Sequence, residues 1–321
     1  MPPSSHKKRA AQLLANSSDA HVPHLTMNDT VSAPPCAPPD FAPSKPRLMF
    51  PPRSCDCHAH ILGPASHHAY APDRIYTPPD CLAGDYRTML AALGVQRAVL
   101  VQPSVYATDN TVMRQALRES AGRFRGVAVV DWMIDHATLE SMHADGVRGV
   151  RVNIVDVKEG QGALPLDLLR SLAQRIAPLG WHMEFLMHVD AFANLDRDLA
   201  GFPVDVVFGH LGYMRTDKGM ETPGFQALLR LLDAGRSWVK LTGPYRISTG
   251  SLPYADVTPL AHALLQTAPG GVVWGSDWPH VMLKGVMPND GDLADLLSTW
   301  IPDADQRHQV LVDNPARLYG F

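Results

Sequence analysis

Ser54-Cys55-Asp56-Cys57-His58-Ala59-His60 is a short run that ends in a His-x-His pair and breaks at Gly63-Pro64. An extended chain turns successive side chains to opposite faces. Read as a strand, the run puts Asp56, His58 and His60 on one face and Cys55, Cys57 and Ala59 on the other. Two imidazoles at a strand end contribute little to packing. Their chemistry is richer: neutral ring nitrogens hold a metal, and ring N–H groups donate to a substrate oxygen. In a chain with 15 histidines the pair also reads as two surface side chains. Its meaning therefore rests on the segments that follow.

Those segments alternate regularly. Apolar, β-branched runs recur at about 97–103, 124–131, 147–153, 182–189, 204–210, 237–243 and 271–277, and each is followed by a stretch of helical period. Helices are expected near 84–93, from the Thr108-Asp109-Asn110 cap onward, and near 137–144, 164–180, 191–200, 223–235 and 255–267, with more helix closing the chain. Residues 61–82 form a long loop carrying Tyr70 and Tyr76. Eight strands, each followed by a helix, make an α/β fold of the (β/α)8 TIM-barrel type the economical answer. Strands covered on both faces should read as near-continuous apolar runs, and most of these do. An open doubly wound sheet would want a glycine-rich phosphate loop after its first strand, and none stands there.

The remaining composition narrows the class. The chain has 321 residues, 45% of them hydrophobic, with a net charge of −4. That balance gives no reason to expect a nucleic acid or an anionic membrane as a partner. No apolar run approaches the roughly 20 residues that span a bilayer. Four cysteines, at 36, 55, 57 and 81, have neither metal-finger spacing nor the density of a secreted framework, so a reduced, cytoplasmic protein is expected. Residues 1–50 are proline-rich, with Pro34-Pro35 and Pro38-Pro39 among few large apolar groups, and read as a disordered tail before a domain over 51–321. The basic, serine-rich start has no signal-peptide core, and Met27 is an alternative start.

In a barrel of this kind the active site lies at the C-terminal ends of the strands. Polar residues expected at those ends are His58, His60, Ser104, Arg151, Asn153, His210, Thr242 and Asp277. Taken singly, His210 is a turn residue and Asp277 a helix cap; taken together they surround one mouth.

D-x-H-x-H-x-x-G-P at 56–64, G-H-L-G at 209–212, W-G-S-D-W-P-H at 274–280 and D-N-P-A-R-L-Y at 313–319 resemble the amidohydrolase superfamily, in particular its amidohydrolase-2 branch and the pyrone-dicarboxylate lactonases within it. The resemblance covers residues 47–321. It implies a catalytic set of Asp277, His58, His60 and His210, with Arg151, Arg246, Tyr76, Ser104 and Thr108 as substrate-binding positions. Metal-bearing relatives add a histidine after the fifth strand. Leu186 stands at that position, His188 lies two residues on, and no lysine ends the fourth strand to bridge two metals. The resemblance to the pyrone-dicarboxylate lactonases, which lack that histidine, implies work without metal, and this chain departs from the metal-bearing pattern in the same direction. Val157 and Tyr213 stand where those lactonases carry further arginines, with Lys158 and Arg215 close by, which implies fewer or differently spaced acid groups on the substrate.

The expectation is thus hydrolysis of a carboxylated, anionic lactone from aromatic catabolism. Asp277 would activate water and the three histidines would donate to the carbonyl oxygen, with no cofactor. The first alternative is a zinc-dependent decarboxylase or hydrolase using His58, His60, His210 and Asp277 as ligands. The second is a non-catalytic small-molecule-binding barrel, against which the retained Asp277 argues.

Overall fold

The computed structural model describes residues 33–155 and 164–321. Eight parallel strands run in sequence order: β1 (Cys55–Ala59), β2 (Arg97–Val101), β3 (Phe124–Ala128), β4 (Val147–Asn153), β5 (His182–Leu186), β6 (Val206–Phe208), β7 (Ser237–Leu241) and β8 (Val272–Trp274). The sheet curls until β8 returns to β1. An Ala59–Trp278 bridge spans the gap, supported by His60 N–H to Trp278 O and Asp277 N–H to His58 O, both 2.8 Å. This is the TIM barrel expected from the alternation.

The helices that cover the barrel include α1 (Ala83–Leu93), α2 (Thr111–Arg118), α3 (His136–Asp145), α4 (Leu166–Ile176), α5 (Leu195–Asp198), α6 (Pro223–Asp233) and α7 (Thr258–Thr267). Each presents an apolar stripe to the outer strand faces: Tyr86, Met89, Leu90 and Leu93 on α1, and Leu169, Leu172, Ala173 and Ile176 on α4. Burying one such large side chain stabilises the fold by about 1.5–3 kcal/mol. Ahead of α2 the cap is Asp109, whose Oδ1 accepts from Thr111 N–H at 3.0 Å; Asn110 turns its amide to Thr108 O and Val129 O instead.

The inner faces stack in layers. Alternate residues of β5 show the order: His182 packs on Tyr319 at the base, Glu184 sits mid-barrel, and Leu186 reaches the cavity at the mouth. On β4 the matching residues are Gly149, Arg151 and Asn153. A side chain at Gly149 would meet the His182 ring within 2.4 Å, which accounts for the glycine. Below the polar layer, Cys55, Cys57, Val99, Val127, Val207 and Val273 fill the interior.

Two expectations need correction. The tail was expected to be disordered to residue 50, yet residues 33–50 are ordered as a strap. Cys36 N–H and Thr77 N–H bond reciprocally across to Thr77 O and Pro34 O at 2.8 Å. Further along, Ser44 N–H donates to Asn289 Oδ1 and Arg47 Nε to Asp295, both at 2.8 Å. Prolines narrow the unfolded ensemble, so fixing this segment costs less entropy than its low apolar content suggests. Residues 1–32, and with them Met27, lie outside the described residues.

The second correction is within β1. Its register against β2 breaks between Asp56 and Ala59. The bulge puts Cys57 in the interior cluster beside His58's layer and leaves Asp56 on the outer face with Tyr86 of α1. Strict alternation therefore fails at Asp56.

Candidate active site

The C-terminal mouth holds a cavity of about 370 Å3. Its wall includes His60, Tyr76, Ser104, Arg151, Asn153, Leu186, His210, Tyr213, Tyr245, Arg246 and Asp277. His58 is buried just beneath, its ring 5.1 Å from His60 and 4.8 Å from His210.

Asp277 lies three residues beyond β8 with φ +65°, and His210, just after β6, has φ +48°. Both are in left-handed backbone, which an L-residue adopts at a cost and which clusters at functional sites. Asp56 holds this turn in place. Its carboxylate accepts from His58 N–H at 3.1 Å, Ser276 N–H at 2.8 Å, the Ser276 hydroxyl at 2.5 Å and the Tyr86 hydroxyl at 2.9 Å. Burial pushes the Asp56 carboxyl up to about 6 against those four donors. The aspartate of the D-x-H-x-H motif is thus the clamp between β1 and the segment after β8.

The two oxygens of Asp277 differ. Oδ2 accepts from Arg246 Nε at 2.6 Å and from the Tyr245 hydroxyl at 2.7 Å. Tyr245 also bonds His280 Nδ1 at 2.8 Å, and His280 Nε2 lies 3.2 Å from Asp290 Oδ1. Oδ1 has no hydrogen-bond partner among the described residues. Burial alone would raise the Asp277 carboxyl, but the Arg246 guanidinium outweighs it and holds the group well below its usual range. It is a carboxylate, with one oxygen free.

The histidines are neutral. Burial drives His60 down to about 3, and burial also lowers His58 and His210. His60 Nδ1 lies 2.7 Å from Val101 O, so that nitrogen carries the proton and Nε2 keeps a lone pair. His60 is an acceptor here, which overturns the expectation that it donates to a carbonyl. His210 Nδ1 bonds the Thr242 hydroxyl at 2.7 Å. His58 Nδ1 is 3.3 Å from Lys240 Nζ, and Lys240 in turn pairs with Glu184 Oε2 at 2.5 Å. Burial would raise the Glu184 carboxyl; the Lys240 ammonium beside it outweighs that and holds it well below its usual value. Lys240 is buried, on the inward face of β7.

Of the positions named for substrate, Tyr76, Ser104 and Arg151 line the cavity. Arg151 makes one long bond to Gln102 O at 3.4 Å and, among the described residues, leaves Nε without a partner and has no carboxylate paired to it. Arg246 also lines the cavity, but its Nε is held by Asp277 and its Nη2 by Val281 O. Thr108 does not line the cavity; it is exposed on the turn before α2, where its carbonyl accepts from Asn110. Leu186 lines the wall, whereas His188 bonds Tyr213 O at 3.1 Å and is absent from it. Arg215 pairs with Asp217 at 2.6 Å, and Val157 and Lys158 lie outside the described residues.

Lys240 and Tyr245 were not singled out in the sequence. A lone lysine in the otherwise apolar S-W-V-K-L of β7 was the available signal, since an uncompensated interior charge is costly. Tyr245 had only its place beside Arg246.

The amidohydrolase family model matches residues 55–321. The chain belongs to the amidohydrolase family. Among curated members, the 4-sulfomuconolactone hydrolase of Hydrogenophaga intermedia is 37% identical over 90% of this chain and 95% of its own. The 2-pyrone-4,6-dicarboxylate hydrolase of Comamonas testosteroni is 37% identical over 86% and 93%. A solved Pseudomonas putida structure described as a 2-pyrone-4,6-dicarboxylic acid hydrolase superimposes with a TM-score of 0.73 at 33% identity, over 84% of this chain and 98% of that one. No described helix is long and apolar enough to cross a membrane.

Some amidohydrolases use a metal, and the donor set at this mouth decides whether one fits. His58, His60 and Asp277 each offer an atom within 4.8 Å of the others. His60 Nε2, with its lone pair, and the unpartnered Asp277 Oδ1 fit a cation. His58 does not. An ammonium facing Nδ1 can only donate, which leaves the proton on Nε2, the nitrogen a metal would need. With Leu186 apolar, two fitting donors remain from this group, too few for a closed zinc site.

Proposed function

We propose that this amidohydrolase hydrolyses an anionic lactone by Asp277-activated water, without a tightly bound metal. The observation that carries the reading is the free Oδ1 of an ionised Asp277 facing a cavity in which Arg151 is a guanidinium without a carboxylate partner among the described residues.

A lactone is an ester, and its hydrolysis needs a base for water and donors for the oxyanion. Asp277 Oδ1 takes a proton from water as the water oxygen bonds to the carbonyl carbon. Oδ2 stays with Arg246 and Tyr245, which hold the carboxylate in one orientation. Arg246 thus positions the base. His60 Nε2 accepts from the same water and aims its lone pair at the carbonyl. His210, its Nδ1 taken by Thr242, turns its other nitrogen toward the developing oxyanion. The ring oxygen leaves as the tetrahedral intermediate collapses and receives the proton that Asp277 accepted.

Arg151 selects the acid group, since guanidinium binds carboxylates and sulfonates through paired donors. Ile75, Val155, Leu186 and Met282 add apolar surface to the same cavity. The preferred substrate therefore carries one strong acid group and an apolar or unsaturated remainder. The relatives acting on a sulfonated and a dicarboxylated lactone support this class. A panel of lactones with no, one or two acid groups, assayed with and without chelator, tests it. Turnover of the mono-acid members, unaffected by chelator, is expected. Near-unit zinc in the purified protein with activity lost to chelator refutes the metal-free mechanism, and failure to open any lactone refutes the class.

A further inference from the structure

Beneath the cavity the barrel interior carries a charge pair that the hydrolytic scheme does not use. Lys240 on β7 and Glu184 on β5 are both buried and meet at 2.5 Å across the barrel. An isolated ion at this depth would cost several kcal/mol, and even a pair is often no more stable than apolar residues of the same volume. Interior side chains nearby, Val207 on β6, Trp238 on β7 and Val273 on β8, show that apolar filling is available. The pair therefore calls for a role other than stability.

Its contacts indicate one. Three donors sit on the Lys240 ammonium. One serves Glu184 Oε2, and another faces His58 Nδ1 at 3.3 Å, while the ammonium itself lies 5.9 Å from the Tyr319 ring centre. Glu184 Oε1 lies 3.5 Å from the same Nδ1, farther than Lys240 and at the limit of hydrogen bonding. Two partners thus compete for one nitrogen. Donation from Lys240 leaves the His58 proton on Nε2; acceptance by Glu184 would put it on Nδ1. The ammonium is the nearer of the two, and Glu184 Oε2 is already engaged by it.

We propose that Lys240, held by Glu184, is a positioning residue that fixes the His58 proton on Nε2, where it faces Asp277 Oδ1 at 3.7 Å and closes His58 to metal. This deepens the metal-free reading above by naming the pair that separates a metal-free site from a metal-binding one in an otherwise shared set of ligands. An N–H directed at Asp277 favours its ionised form; a lone pair there would repel it.

The tautomer can be read directly. In a long-range proton–nitrogen correlation spectrum of the labelled protein, assigned by loss of one ring in His58→Gln, His58 is expected as the Nε2–H form. The Nδ1–H form in the unaltered chain overturns the proposal, whatever the variants do. Lys240→Met removes the donor. Because it strands a buried carboxylate, the double variant Lys240→Met/Glu184→Gln is measured beside it, its amide oxygen remaining to accept from Nδ1–H. In the double variant the tautomer is expected to invert. Zinc affinity should tighten about 10- to 100-fold, the range in which such partners act on a ligand imidazole. The rate of metal-free hydrolysis should fall at least about tenfold. Lys240→Arg, which keeps a donor, should retain the Nε2–H form. A double variant that folds yet keeps the Nε2–H form, or inverts with no change in zinc affinity, refutes the proposal. The tautomer and zinc-affinity readouts need no substrate, so a failed lactone screen would leave them standing as a separate result.

Discussion

Replacing Asp277 by Asn keeps the shape of the side chain and removes its charge and basicity. In the folded chain the group is ionised, with a pKa well below the ordinary 3.8. The rate of the unaltered enzyme should therefore hold on the acid side down to that range, its acidic limb lying below it. A positioned base contributes about 10²–10⁴ to the rate, so kcat should fall at least about 10²-fold in Asp277→Asn, and the limb should vanish. KM should change little, because Arg151 is untouched. Stability falls as well. The two bonds to Oδ2, from Arg246 at 2.6 Å and Tyr245 at 2.7 Å, lose their ionic acceptor. A charged bond exceeds a neutral one by about 1 kcal/mol, so the loss is about 2 kcal/mol. In a chain of this size that lowers Tm by roughly 3 °C. The pH dependence has a definite sign. A carboxyl depressed in the folded state stabilises above its unfolded value and loses that contribution as pH falls through its folded value. The Tm difference between the two proteins should therefore shrink toward low pH. Steady-state kinetics against pH and thermal melts measure both. Near-normal kcat with the acidic limb intact would place the base elsewhere and refute the mechanism.

Arg151→Met should raise KM and lower kcat/KM roughly tenfold to a hundredfold on a mono-acid lactone, from the loss of about 1.5–3 kcal/mol of charge-assisted contact, with little effect on the neutral ester of the same lactone. Thr108→Ala, remote from the cavity wall, should leave both constants within about twofold, and a larger change would restore Thr108 to the site. Arg246→Met removes the first of the groups that depress Asp277, so the acidic limb of the pH–rate profile should move up; an unmoved limb would mean that Asp277 does not set it. Gly243 has φ +55°, and a Cβ there would lie 2.7 Å from Asp277 Oδ2 and 3.0 Å from His210 Nδ1. Gly243→Ala should accordingly lower both kcat and Tm, and a variant active and stable as before would show that the turn has slack.

The strands were readable because burial on both faces forces near-continuous apolar runs, as in R-A-V-L-V of β2 and the interior of β7. The mouth residues were readable for the same reason: once strand ends are located, His60, Arg151, His210 and Asp277 must surround one opening. Thr108 lies off the cavity wall because a residue several positions past a strand end follows the loop, whose path depends on tertiary contacts. The strap over residues 33–50 was missed because its order comes from partners almost 250 positions away, Asn289 and Asp295.

The sequence by itself determined the barrel, the ring of site residues and the family pattern, since those follow from apolar periodicity and from residue types at strand ends. It could not determine the direction of single protons and lone pairs. That Asp56 stands behind the site depends on a one-residue bulge in β1. That His60 accepts depends on a carbonyl of β2 at 2.7 Å. That Asp277 keeps one oxygen free depends on Arg246 and Tyr245 arriving from the loop after β7. Lys240, Glu184 and His58 come from three strands far apart in the chain and meet only when the barrel closes. Hydrogen bonds act over about 3 Å with strict direction, so their partners are fixed by tertiary structure and not by composition or spacing.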